Sequence, residues 1–198
     1  MPSAGGLPIF ISFVISTLFL FRKIILQSYI VPILLASLVI IVTGVLDDKF
    51  ELTPKQKSVG ILLASLIIYF VADIRIDSFT LPFIGYIQLG WLSFPVTIFW
   101  IFGITNAINL IDGLDGLAAG ISLIGLITIG IIGYFFLHAS TVYIPVVIFC
   151  LVASIIGFFP YNFYPAKIYL GDTGALFLGF MMAVLSLQGL KNVTFVSS

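Results

Sequence analysis

The sequence has little charge. Only 8% of its 198 residues are Asp, Glu, Lys or Arg, against about 25% in a soluble domain, so water cannot be the solvent for most of the surface. Eight basic residues against eight acidic ones give a formal net charge of zero, which excludes a basic nucleic-acid footprint and an acidic disordered tail. A single cysteine, Cys150, excludes an internal disulfide and a zinc framework. The patterns HExxH, CxxC, GxSxG and GxxxxGKS/T are all missing, so metalloprotease, thiol, serine-hydrolase and P-loop chemistries lack their residues. The only histidine, His138, reads as a solvated loop residue on the face away from the acids. Met1 to Gly6 (MPSAGG) has neither the charged n-region nor the cleavage site of a signal peptide. With the renewed apolar character of KNVTFVSS at the other end, both termini read as cuts.

In place of charge stand apolar residues, 61% of the total. Apolar runs at about 7–21, 30–46, 58–72, 94–108, 117–137, 142–160 and 174–190 are each bounded by charge, Pro or Gly. At about 20 residues per helical span, they predict an all-α polytopic membrane protein. It has about seven transmembrane helices in a single transmembrane domain over residues 1–198. The first and third runs are short for a full crossing. Between the third and fourth, Ile74, Ile76 and Phe79 interleave with Arg75, Asp77 and Ser78 before a Pro82–Gly85 turn and a second run, Tyr86–Leu89, which predicts a small external β-hairpin. Even-numbered helices all end at one membrane face. Asp47, Asp48, Glu51, Asp112, Asp115 and Asp172 therefore gather there, with Asp73 and Asp77 opposite. The basic residues are tied: Lys49, Lys55, Lys57 and Lys167 share the acidic face, and Arg22, Lys23, Arg75 and Lys191 lie across from it.

Three clusters carry chemistry. In GVLDDKFEL (Gly44–Leu52) two adjacent carboxylates end a span; they read either as a solvated helix terminus or as acids sharing a cation. Lys55 and Lys57 beyond them are solvated cations or phosphate ligands. In NAINLIDGLDGLAAG, Asn106, Asn109, Asp112 and Asp115 recur every third residue and would spread over half a continuous helix, so Gly113 and Gly116 are expected to break it between Asn109 and Leu117. In YNFYPAKIYLGDTGALFLG, Pro160 and Pro165 are expected to stop a helix, and Asp172 with Thr173 to cap the next. That N-terminus is either plainly capped or a receiver of phosphate. Together the clusters suggest a phosphate-handling site for a hard divalent cation at the water interface.

These three motifs, in this order and with a hairpin between the first two, resemble the polyprenyl-phosphate N-acetylhexosamine-1-phosphate transferases over almost the whole chain. Glu51, ITNAINLIDGLDGLA and YNFYPAKIYLGD look most like the bacterial undecaprenyl-phosphate GlcNAc-1-phosphate transferases that start teichoic acid and related wall polymers. GLPIF after PSAGG is similar to the family's early GG element. The resemblance implies Mg2+-dependent transfer of GlcNAc-1-phosphate from UDP-GlcNAc to undecaprenyl phosphate with release of UMP, at the cytoplasmic face of a bacterial plasma membrane. Mn2+ is the alternative ion. It implies Asp172 and Asn109 as metal ligands, and Lys57 on the pyrophosphate. Asp115, Tyr169, Asn162 and Asn106 fall at substrate-binding positions, the first two about the uracil. Asp47 becomes the candidate base on the lipid phosphate, supported by Asp48, with Asp112 also catalytic. The implied partners are UDP-GlcNAc, undecaprenyl phosphate and membrane lipid, with no nucleic acid and a homodimer as a possible assembly. Family members have further spans on both sides and a His-rich cytoplasmic loop, so the chain is expected to be an internal piece of such an enzyme. A catalytically impaired fragment, a membrane scaffold and a cation transporter are the competing classes.

Overall fold

One of seven helices is buried on nearly all sides by the others. A computed structural model describes residues 5–22, 29–81, 85–136 and 143–194. Their order is α1 (Gly6–Phe21), α2 (Ile30–Phe50), α3 (Pro54–Phe70), β1 (Ser78–Leu81), β2 (Gly85–Gln88), α4 (Ser93–Ile111), α5 (Leu117–Phe136), α6 (Tyr143–Asn162) and α7 (Gly171–Thr194). Among the described residues, α2, α4, α5, α6 and α7 are long and apolar enough to cross a membrane. The expectation of about seven spans therefore meets five such helices, because α1 has 16 residues and α3 has 17. His138, Lys23 and residues 82–84 of the expected turn lie outside the described residues.

Helix α7 is the axis, with 78% of its apolar window buried; it packs most extensively on α4 and α2, then on α5 and α1. In lipid the hydrophobic effect does not drive helices together, so association depends on close packing and small residues at the seam. Ile33, Ser37, Ile40, Gly44 and Asp47 form one buried stripe of α2. Ser37 donates to the Ile33 carbonyl at 2.7 Å and to the Met181 sulfur of α7 at 3.2 Å. A Cβ on Gly44 would overlap the Thr173 backbone of α7. The stripe that seats α2 on α7 thus ends at Asp47, which ties the first carboxylate's position to helix packing.

The hairpin is present and antiparallel, with Ser78 opposite Gln88 and Leu81 opposite Gly85. Its first strand is shorter than the alternating pattern suggested. The Ile74 N–H donates to the Ile68 carbonyl at 3.1 Å and the Ile76 N–H to the Thr97 hydroxyl at 3.0 Å, so these residues pack on helices instead of entering the ladder. Pro160 also departs from expectation, since α6 continues through it to Asn162. A proline removes one donor and crowds one carbonyl, and membrane helices tolerate this. The ladder resumes with the Phe163 N–H on the Phe159 carbonyl at 2.9 Å.

Candidate active site

The helix ends that carry the three motifs converge on one polar pocket of about 510 Å³, lined by Asp48, Asn109, Asp112, Asp115, Asn162, Tyr169 and Asp172 among others. Each arrives by a different local device. Helix α2 terminates at Glu51, which adopts a left-handed φ of 50° while its N–H donates to the Asp47 carbonyl. That turn brings the Leu52 N–H onto Asp47 Oδ1 at 3.0 Å. Helix α3 then starts with a capping box in which Thr53 and Gln56 satisfy each other's backbone N–H groups, with Pro54 at the first position. This fixes the turn that carries Lys57.

Lys57 Nζ pairs with Asp47 Oδ2 and lies 2.9 Å from Asp172 Oδ1 and 3.5 Å from Asn109 Oδ1. Asn109 Nδ2 donates to the same Asp172 oxygen at 2.5 Å. One ammonium therefore sits among residues of α2, α4 and α7, and Asp47 is buried at 6% exposure. Asp172 was expected to cap α7, and the structure corrects this. The helix begins at Gly171, whose φ of 71° suits glycine, so Asp172 lies in the first turn. The cap comes from Asp48: its Oδ1 accepts the Asp172 N–H at 2.8 Å, and its Oδ2 accepts the Thr173 N–H at 3.1 Å and the Thr173 hydroxyl. Those two N–H groups are thereby taken up by a carboxylate from α2.

The middle motif breaks where the glycines allow. Helix α4 ends at Ile111, α5 begins at Leu117, and Gly116 takes a φ of 72°. Asp112 follows α4, half-buried, and its carboxyl is pushed up to about 6 by burial first and then by the charges of Asp172 and Asp48. Asp115 Oδ2 accepts the Ala166 N–H at 3.0 Å, tying this turn to the segment before α7. Asn162 is buried and donates to the Ile168 carbonyl at 3.1 Å. Tyr169 stays 43% exposed on the pocket wall, free to offer its ring face. Asn106 stands apart, donating to the Phe102 carbonyl at 2.8 Å within α4. Gly5 and Gly6 donate to the Tyr169 and Leu170 carbonyls at 3.1 and 3.2 Å, so the early glycine pair holds the segment that leads into α7.

Two features escaped the sequence: Asp48 as the cap of α7, and Thr173 as its partner. The GDT wording marked the helix start but carries no sign of which distant acid serves it.

Fold and site together define a multi-pass membrane protein with a carboxylate-lined pocket at its helix ends. The sequence profile of glycosyl transferase family 4 matches residues 30–190, and the chain belongs to that family. It is 46% identical over its whole length to a Bacillus subtilis protein described as a probable undecaprenyl-phosphate N-acetylglucosaminyl 1-phosphate transferase, covering 54% of that protein. It is also 38% identical over 74% of its length to a phospho-N-acetylmuramoyl-pentapeptide-transferase of Streptococcus agalactiae, covering 45% of it. A Staphylococcus epidermidis protein of the same description is 34% identical over 94% of the chain, which covers 62% of that relative. The chain spans about half the length of the curated relatives it matches.

Proposed function

We propose that the protein transfers GlcNAc-1-phosphate from UDP-GlcNAc to undecaprenyl phosphate and releases UMP, at the cytoplasmic face of a bacterial plasma membrane, with Mg2+ or Mn2+ as cofactor. The observation that carries this reading is Lys57 held between Asp47 and Asp172 beside a polar pocket at the ends of membrane helices. In the reaction an oxygen of the lipid phosphate bonds to the sugar-bearing phosphorus of the donor, and the bond from that phosphorus to the bridging oxygen breaks, so UMP leaves with the electron pair. Such transfers depend on positioning and charge neutralisation more than on covalent help from the protein.

The donor set suits a hard cation. Carboxylates and an amide are oxygen ligands, and the Asp112 carboxyl, raised first by burial and then by the charges of Asp172 and Asp48, lines the same pocket. Among the described residues no group of three acidic, thiol or imidazole side chains could hold an ion, so waters and substrate phosphates would have to complete its coordination. Asp172 and Asn109 would hold it. Bound there, it would neutralise the pyrophosphate and the leaving group.

The remaining roles belong to the chain's own groups. Lys57 attracts the pyrophosphate as a point charge. Asp47 was the candidate base on the acceptor, yet a phosphate monoester has its second pKa near 6 and is largely dianionic at cytosolic pH. With Lys57 and the Leu52 N–H on its oxygens, Asp47 orients the lysine instead of removing a proton. Asp48 fixes the start of α7 and hence Asp172. Asp115, Asn162 and Tyr169 form the nucleoside side of the pocket, where Tyr169 offers a stacking face to the uracil. UMP release from UDP-GlcNAc that depends on added undecaprenyl phosphate tests the reading; nucleotide release that ignores the lipid, or none in the protein extended to its relatives' length, overturns it.

A further inference from the structure

Helix α1 is entered through two glycines, and neither is required by its backbone conformation. Gly5 has φ −62° and ψ −27°, and Gly6 opens the helix, values that any residue adopts. Space is what excludes a side chain. A Cβ on Gly5 would stand 2.6 Å from the Tyr169 carbonyl oxygen and 2.5 Å from Cζ of Phe158. A Cβ on Gly6 would overlap the backbone of Thr173 and Gly174, and one on Gly174 would overlap the Leu170 side chain. Gly44 of α2 likewise leaves no room for a Cβ beside Thr173. Three helices therefore meet backbone to backbone where α7 begins, a closeness that only glycine permits.

The same two glycines supply donors. The first N–H groups of a helix have no partner within it; here the Gly5 N–H goes to the Tyr169 carbonyl at 3.1 Å and the Gly6 N–H to the Leu170 carbonyl at 3.2 Å. Two consecutive carbonyls are pinned by two consecutive donors, which leaves the backbone at Tyr169 and Leu170 little freedom to turn. Leu170 is 1% exposed and covers Gly174, whereas Tyr169 beside it is 43% exposed and lines the pocket. Anchoring Leu170 inward thus commits Tyr169 to the pocket wall. Asp115 and Asn162 hold the same segment further back, at the Ala166 N–H and the Ile168 carbonyl.

We propose that Gly5 and Gly6 are positioning residues for the nucleotide donor: their grip on the Tyr169 and Leu170 carbonyls sets the plane in which the Tyr169 ring meets the base. This rests on the donor reading given above and adds what holds the stacking face in place. Both glycines act through Tyr169. Moving the Tyr169 carbonyl tilts the ring and weakens donor binding while the charges of the pocket stay as they are. The overlaps at Gly5 can be separated, because Cζ and Cε2 of Phe158 belong to a side chain that can be shortened and the Tyr169 oxygen belongs to the backbone.

The test is calorimetric titration of the detergent-solubilised protein with UDP-GlcNAc, alongside thermal melting. Gly5→Ala should raise the dissociation constant about tenfold, the order of one lost base–aromatic stacking contact, and lower the melting temperature. Phe158→Leu removes the far end of the ring and leaves the Tyr169 carbonyl, so adding it to Gly5→Ala should restore the melting temperature but not the affinity. In a Tyr169→Ala background, Gly5→Ala should change the affinity by less than about twofold, because the group it acts through is gone. If the double variant Gly5→Ala/Phe158→Leu regains affinity together with its melting temperature, Gly5 only makes room for a phenylalanine ring. An undiminished loss in the Tyr169→Ala background would show that Gly5 acts elsewhere. Either result overturns the proposal and leaves the donor reading standing, whereas a wild-type protein that binds no UDP-GlcNAc would end both.

Discussion

Asp48 on α2 and Thr173 on α7 are joined twice, because the Thr173 N–H and hydroxyl both donate to one Asp48 oxygen while the other oxygen takes the Asp172 N–H. A residue 124 positions away in sequence thus supplies a helix cap that is usually local. The second acid of the Asp47–Asp48 pair consequently builds the site by fixing where α7 starts.

Asp48→Asn separates that role from direct contact with an ion. An Asn side chain keeps one acceptor but turns the other into a donor facing the Thr173 N–H, which should cost about 1–2 kcal/mol. The melting temperature should fall in metal-free buffer, where loss of a mere ion ligand would leave it unchanged or raise it. A variant that melts like wild type without metal and differs only when Mg2+ is added would return Asp48 to the ligand set.

Asp172→Asn should behave in the opposite way. Its carboxylate accepts from Lys57 and Asn109 but caps nothing, since its N–H is served by Asp48. Amide substitution keeps the volume and removes the anion that a hard cation needs. In a protein extended to its relatives' length, membrane abundance should stay near wild type while transfer falls by orders of magnitude. Turnover close to normal would reduce Asp172 to a partner of Lys57.

What could be read from the sequence follows from which physics is local. Seven apolar runs bounded by Pro, Gly and charge became seven helices, because span length and burial of backbone polar groups in lipid leave few alternatives. The break between Asn109 and Leu117 was legible from two glycines, and the gathering of Asp47, Asp48, Asp112, Asp115 and Asp172 about one pocket from helix parity. The links among them were not. Lys57 and Asp172 are 115 residues apart, and their contact is set by how α2, α3 and α7 pack. The same tertiary term carried α6 past Pro160 and drew Ile74 and Ile76 out of the expected strand.

Asp112 sets a pH dependence of stability. Its carboxyl is raised from 3.8 to about 6, so the folded protein holds this proton more tightly than the unfolded chain. The stabilisation is full below the unfolded value and is lost as pH rises through the folded one, a window from about 4 to 6. In chelator-treated protein the melting temperature should decline across that window and Asp112→Asn should flatten the curve. The variant should also melt higher than wild type at pH 7.5, because it removes a charge facing Asp172 and Asp48. A wild-type profile that is flat or rising there would show that Asp112 is well solvated.

The sidedness of the site is tested by labelling. UDP-GlcNAc is a cytosolic compound, so residues 47–57, 109–116 and 161–172 should share the cytoplasmic face and the hairpin around 78–88 should lie outside; residues 138–141, also expected outside, are beyond the described segments. Lysine counts do not decide this, since the basic residues divide evenly. Lys55 is exposed at the start of α3, and Ser78 begins β1 at the other end of that helix. In a background with Cys150 replaced, Ser78→Cys should react with an impermeant maleimide on intact cells, and Lys55→Cys only after permeabilisation. Labelling of Lys55→Cys on intact cells would put the carboxylate pocket on the outer surface, where cytosolic nucleotide sugars do not reach it, and the proposed donor would fall with the topology.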